Sequence, residues 1–241
     1  MKKLIFLLLV LPFVAQAQSP VGGLFTINGG YGYYPEEDLS VFIPDSTVTL
    51  SNHGISWGFG IDYVKNKYLF GISYMYFSKP KTSLDSIDVK VKNMDIRLDI
   101  GYFPVIRPGF IFGPVLSLGG GYDGLNMMST NNVTVAELNA QPGREIHLTQ
   151  NKAVADIGLQ AHWKVSSSDD GSGDGLSLGL QVGCSGSYAI GNWNFEDAQV
   201  TDGPDGFRPL YYARLSIGIL SIEGSGSDAP AEDSEIYRMP N

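Results

Sequence analysis

The segment from Gly54 to Val64, GISWGFGIDYV, alternates large apolar residues with small polar ones. In an extended chain Ile55, Trp57, Phe59, Ile61 and Tyr63 fall on one face, and Ser56, Gly58, Gly60 and Asp62 on the other, because successive strand side chains point to opposite sides. The same alternation recurs from Thr26 to Ile222 in segments long enough to cross a membrane as tilted strands. One face of each segment needs an apolar medium and the other a polar one. Beyond the N-terminus no apolar run reaches the roughly 20 residues of a spanning helix. If such a chain enters lipid it does so as a closed barrel, since lipid offers no partner to an open sheet edge.

Eight strands are predicted: Gly23–Tyr31, Gly54–Val64, Tyr68–Ser78, Val91–Phe103, Phe110–Tyr122, Leu148–Val165, Leu176–Ile190 and Leu210–Ile222. The connections alternate in length. Lys65-Asn66-Lys67, Pro104–Gly109 and Ser166–Gly175 are short, and Gly32–His53, Lys79–Lys90, Asp123–His147 and Gly191–Pro209 are long. Short periplasmic turns, long external loops and an even strand count describe an eight-stranded, antiparallel, up-and-down transmembrane β-barrel. An even count also puts both chain ends in the periplasm. Within the fifth strand Pro114 cannot donate to the ladder, so a bulge is expected near Gly113-Pro114. In the loop that follows, Asn132 to Ala136 could extend the hairpin above the membrane.

The ends carry different signals. Lys2 and Lys3, the apolar run Leu4–Val14 and the Ala15-Gln16-Ala17 site read as a secretory signal, residues 1–17, cleaved before Gln18. Residues 18–222 are then the barrel. Residues 223–241, EGSGSDAPAEDSEIYRMPN, are acidic and aperiodic and read as a flexible periplasmic tail.

The large residues keep one phase in every strand, so charge belongs to the other. A charge facing lipid near the midplane would cost about 2–4 kcal/mol, so Asp95, Arg97, Asp99, Asp156 and Arg214 are expected to face the lumen as an ion network, with Asp62 and His162 as minor members. The fifth and seventh strands offer small groups there: Gly113, Ser117, Gly119 and Gly121, and Ser177, Gly179, Gln181, Gly183 and Ser185. Long charged side chains can reach across them, and eight strands leave only enough width for side chains to fill. A plugged interior is expected, with an ion path as the alternative. Tyr63, Tyr68, Tyr102, Phe103 and Trp163 are expected to ring the periplasmic boundary, and Tyr31, Tyr76, Tyr122, Tyr188 and Tyr211 the outer one.

Little in the chain points to chemistry. His53 and His147 fall in or beside long loops, and His162 faces the lumen beside Asp156 and Gln160. There is no HExxH motif, no zinc ligand set and no Ser two residues from a histidine on one strand face. Gly119-Gly120-Gly121 lacks the Lys-Ser/Thr of a phosphate loop. Glu36, Glu37, Asp38, Glu196, Asp197, Asp202 and Asp205 match no calcium-loop spacing. Cys184, the one cysteine, shares the lipid-facing phase of Leu176 to Val182. No enzyme and no cofactor are therefore expected. The net charge of −9 gives no reason to bind nucleic acid. Outer-membrane lipid is the expected partner, with lipopolysaccharide phosphates near Lys79, Lys81, Lys90 and Lys92 and a protein or surface ligand at the external loops. A monomer is expected.

Signal peptide, alternating strands, short inner turns, long outer loops and a charged lumen together resemble the small outer-membrane β-barrel family, of the OmpX/OmpA-barrel and PorT-like "porin family" type. The resemblance covers about residues 20–222 and rests on architecture. It implies residence in the cell outer membrane and a structural, adhesion, defence or secretion-associated role. The chain departs from that pattern in lacking a terminal aromatic, since it ends Met239-Pro240-Asn241. Recognition by the assembly machinery is then expected near Ile219–Ile222. Two other readings are a secreted soluble barrel that binds a small apolar ligand, with the large residues turned inward, and a barrel enzyme acting on lipid.

Overall fold

The strand alternation resolves into one antiparallel sheet that closes on itself. In the computed structural model the described residues are 21–34, 50–84, 87–107, 109–129, 145–166, 174–195, 198–200, 203 and 206–223. The strands are β1 (Val21–Tyr33), β2 (His53–Lys65), β3 (Tyr68–Ser78), β4 (Thr82–Leu84), β5 (Ile87–Tyr102), β6 (Val105–Arg107), β7 (Phe110–Ser129), β8 (Glu145–Lys164), β9 (Asp174–Phe195), β10 (Ala198–Val200) and β11 (Phe207–Glu223). Eight form the ring, in the order β1-β2-β3-β5-β7-β8-β9-β11 and back to β1. The short β4, β6 and β10 pair onto β5, β7 and β9. All eight predicted strands are present, and several run further than predicted. The signal segment, most of the tail, Asn132–Ala136 and the acidic loop residues 36–38, 196, 197, 202 and 205 lie outside the described residues.

Pairing around the ring sets the stagger. From Gly23 the row of partners passes through Tyr63, Phe70, Ile100, Leu116, Ile157, Cys184 and Tyr211 and returns to β1 at Tyr33, ten residues further on. Such a stagger tilts the strands and leaves an interior that side chains can fill. The turn from β2 to β3 is two residues, Asn66-Lys67, and Asn66 takes the left-handed φ of 57° that Asn tolerates.

The two faces separate by polarity. Ile55 and Leu215 are each 68% exposed, whereas Arg97 is 3% exposed. Outward residues from Met94 to Tyr102, Phe110 to Tyr122, Leu176 to Ile190 and Phe207 to Ser221 include no Asp, Glu, Lys or Arg. Aromatics cluster on that face: Trp57 lies 5.3 Å from Tyr76 and 5.6 Å from Tyr74, and Tyr68 lies 5.5 Å from Tyr102. A continuous apolar belt of this extent is a lipid-facing surface. It overturns the soluble ligand-carrier reading, which needs the large residues inside.

Two local expectations are corrected. Phe103, expected in the periplasmic aromatic ring, is fully buried in a cluster with Leu24, Val64, Leu69, Ile111, Val115 and Leu220. It shares the inward phase of Gly101, so alternation carries it into the barrel. No bulge forms at Gly113-Pro114, where the β7–β8 register is unbroken. Pro114 falls in the gap where the pairing of β5 ends at Gly101↔Val115 and that of β6 begins at Val105↔Phe112, so its missing N–H interrupts no described pair on that side. The register shift lies instead between Thr149 and Asn151 of β8, opposite Gly191, whose φ of 83° suits glycine.

Candidate functional site

Three layers fill the lumen. The cluster around Phe103 closes the end nearest the short turns. Toward the other end Tyr34, Phe77 and Leu210 pack together, and Val89, Val91, Leu125, Met127, Leu148 and Trp193 form a further apolar group. Charged side chains occupy the space between.

Their placement follows from register. Arg97 is flanked by Ser73 and Gly119, and Asp156 by Ser117 and Ser185, so small neighbours leave room for long or charged groups. The Arg97 guanidinium donates to Asp95 and to Asp156, each at 2.6 Å. Asp156 also accepts from the Tyr212 hydroxyl at 2.6 Å. Lys152 bridges Asp95 and Asp123, both at 2.8 Å. Asp123 pairs in turn with Arg208, which donates to Gln150 at 2.8 Å and lies 5.5 Å from the Trp193 ring. A continuous chain of partners thus runs from Gln150 down to Tyr212. All of these residues are buried, and a buried ion network holds only when each member is paired.

The structure divides the residues expected in the network. Asp95, Arg97 and Asp156 meet directly. Arg214 faces the lumen but makes no ion pair among the described residues; its guanidinium stacks on the Tyr212 ring at 3.6 Å. Tyr212 precedes it by two on the same inward phase, so the ring lies where a carboxylate was expected. Asp99 takes hydrogen bonds from Ser73 and Ser117 rather than from an arginine. The His162 ring contacts Gln160, not Asp156, and fills the space over Gly179. Asp62 sits beside Gly71, where any Cβ would strike its carboxylate. Below the ion chain Asp62, Asp99, Arg97, Arg214, Thr26, Asn28, Ser73, Gln160 and other polar residues enclose a cavity of about 30 Å³.

Asp123, Gln150, Lys152, Arg208 and Tyr212 were absent from the expected set. The signal for them is parity. Lys152 and Gln150 continue the inward phase of Asp156, Asp123 continues that of Gly121, and Arg208 and Tyr212 that of Arg214. Ending the predicted strands at Tyr122 and starting the last at Leu210 left Asp123 and Arg208 in loops.

Two further expectations change. Lys79, placed among the lysines facing lipopolysaccharide, is 3% exposed and lies 5.1 Å from the Tyr34 ring, so it presents no charge outside. Lys81 is exposed and pairs with Asp88, and Lys90 is exposed on the outer face of β5. Of the other histidines, His53 stacks on Tyr31 at 5.6 Å and His147 is exposed. Among the described residues no three His, Cys, Asp or Glu side chains come together as a metal site.

No protein-family model matches the chain, and neither does any curated protein. Solved structures with a similar fold include Neisserial surface protein A, at 12% identity and TM-score 0.41, covering 83% of this chain and 96% of that one. They also include Ail, the attachment invasion locus protein of Yersinia pestis, at 12% identity and TM-score 0.42, covering 85% and 99%. A major outer membrane protein from Thermus thermophilus matches at 11% identity and TM-score 0.41, covering 83% and 98%. These are small outer-membrane β-barrel proteins. The barrel assignment for this chain rests on its closed ladder and its exposed apolar face.

Proposed function

We propose that this chain is a non-enzymatic protein of the outer membrane that acts through surfaces held outside the cell, on a barrel whose lumen is closed. Both ends of the barrel chain lie in the periplasm in this reading, and the protein works as a monomer in lipid and lipopolysaccharide. The observation that carries it is the unequal height of the wall. β7, β8 and β9 have 20, 20 and 22 residues, whereas β1, β2 and β3 have 13, 13 and 11. A spanning strand needs about 9–11 residues. One side of the barrel therefore stands well clear of the membrane, on the side of the long connections, as a rigid support for a binding surface.

The closed lumen is supported by the ion chain between its two apolar layers. The absence of catalysis is supported by the setting of His162: it is 1% exposed and its ring contacts an amide rather than a carboxylate. A histidine so placed has neither a route for substrate nor an orienting acid.

The test places a peptide tag after residue 136 and reads two things. Antibody is expected to label intact cells, and the purified protein is expected to be silent in a planar bilayer. Labelling only after the outer membrane is permeabilised would reverse the orientation, and steady open-channel current would end the closed-lumen reading.

A further inference from the structure

The outer wall is not uniform around its upper rim. At the upper ends of β1, β2 and β11 the outward positions carry the rings Tyr31, Tyr33, His53, Tyr211 and Phe207, with no Lys, Arg, Asp or Glu among them. Such rings suit a membrane interface. One sector differs. On β5 the outward phase that places Ile100, Leu98, Ile96 and Met94 in the apolar belt continues upward into Lys92 and then Lys90. Lys92 is half-buried and Lys90 exposed, and neither makes an ion pair among the described residues. Lys81, farther up, is already taken by Asp88.

Register turns the two lysines into a patch. Met94 pairs with Tyr76 on one side and Tyr122 on the other, so the belt ends in a tyrosine on each flank directly below Lys92. In the next row Lys92 is followed by Gly124 of β7 and Thr149 of β8, and in the row above Lys90 is followed by Asn126 and His147. No carboxylate stands in either row. Acidic positions enter one row higher, at Asp88↔Met128↔Glu145. Neighbouring strands lie about 4.8 Å apart and alternate residues of one strand about 7 Å apart. The long lysine stems therefore bring both ammonium groups within reach of one anionic group lying against β7.

We propose that this sector binds the phosphorylated sugar head of lipid A, the anchor of lipopolysaccharide, with Lys90 and Lys92 on one phosphate. The occupant is amphipathic, because the cations stand directly on the belt: Ile96, Leu98 and Leu118 below them are exposed and meet acyl chains. Asn126 and Thr149 offer hydrogen bonds to sugar hydroxyls beside the phosphate. Lysine binds phosphate as a compact point charge. The patch continues the lipid-facing surface without a break, on the β5, β7 and β8 wall at the height where that wall leaves the membrane. The inference rests on the outward orientation proposed above. A tag labelled only from inside would end that orientation, whereas binding in micelles does not depend on it and tests the patch alone.

The test is native mass spectrometry of the full-length protein released from detergent micelles, with three probes: bis-phosphorylated lipid A, the same lipid with its phosphates removed, and phosphatidylglycerol. Wild type is expected to retain one bis-phosphorylated lipid A in preference to the other two. Lys90→Gln is expected to weaken that binding about fivefold, and Lys90→Gln with Lys92→Gln about 30-fold. Lys65→Gln with Lys67→Gln, at the other rim, is expected to leave it unchanged. All four side chains lie outside the lumen, so each variant should keep the folded mobility on a gel, and Lys90→Gln alone provides the reading if the double variant does not fold. Equal retention of the dephosphorylated lipid overturns the phosphate contact and the proposal with it. Equal retention of phosphatidylglycerol overturns the choice of lipid A, and wild-type affinity in the double variant overturns the site. A loss at Lys65 and Lys67 equal to that at Lys90 and Lys92 makes the attraction general to the protein's charge, and overturns it too.

Discussion

At the residue scale the lumen distinguishes two arginines that look alike in sequence. Arg97 holds two carboxylates at once, and all three groups are buried. Removing one partner from a buried pair typically costs about 3–5 kcal/mol. Arg97→Ala is expected near the lower end of that range, because Asp95 keeps Lys152 and Asp156 keeps Tyr212. Arg214 contributes stacking on Tyr212, worth about 2 kcal/mol when desolvated. Arg214→Ala should therefore cost less than Arg97→Ala in reversible urea unfolding. The reverse order would mean that the ring contact outweighs the ion chain. Neither variant is expected to conduct, because the apolar layers at both ends do not depend on either arginine.

At the element scale the outer end of β5 is held differently from its spanning part. β4 pairs with β5 through Thr82↔Val89 and Ser83↔Asp88. Asp88 takes bonds from Lys81 and from Ser83 Oγ, the latter at 2.7 Å. The hydrogen bond from Lys81, then that from Ser83, holds the Asp88 carboxyl below the usual carboxylate range. A depressed folded value makes this contribution complete above the unfolded value of about 4 and lost as pH falls through the folded one. Amide exchange at 82–84 and 88 should therefore accelerate below that range, beyond the intrinsic pH effect, while the spanning rows of β5 stay protected. The same rise in a Lys81→Met variant above pH 5, with no further acid step, would locate the effect in this pair. Protection independent of both would show that the ladder alone holds β4.

At the scale of the whole molecule closure dominates. Every strand of the ring is paired on both sides, so there is no frayed edge from which unfolding can start in detergent. Unboiled protein from detergent extracts is expected to migrate differently from boiled protein on a gel. Identical mobility, with the protein found in the soluble fraction, would contradict a closed membrane barrel.

The strand count, the lipid-facing phase and the tight turn at Asn66 were legible in the chain, because each depends on residues one or two apart: alternation of side-chain direction and the left-handed tolerance of Asn. Inward-facing residues Asp95, Arg97, Asp99, Asp156 and Arg214 followed from that same parity. Which of them touch did not. Arg97 and Asp156 are 59 residues apart, and Arg208 and Asp123 are 85 apart. Those meetings are set by the ten-residue stagger and by where each strand ends, which depend on pairing around the entire ring. The burial of Phe103 and the unbroken register at Pro114 likewise turned on neighbouring strands. Sequence alone determined which face each side chain takes, a local property of the backbone. The tertiary structure alone decided which side chain lies opposite it, because partners across a barrel are chosen by closure.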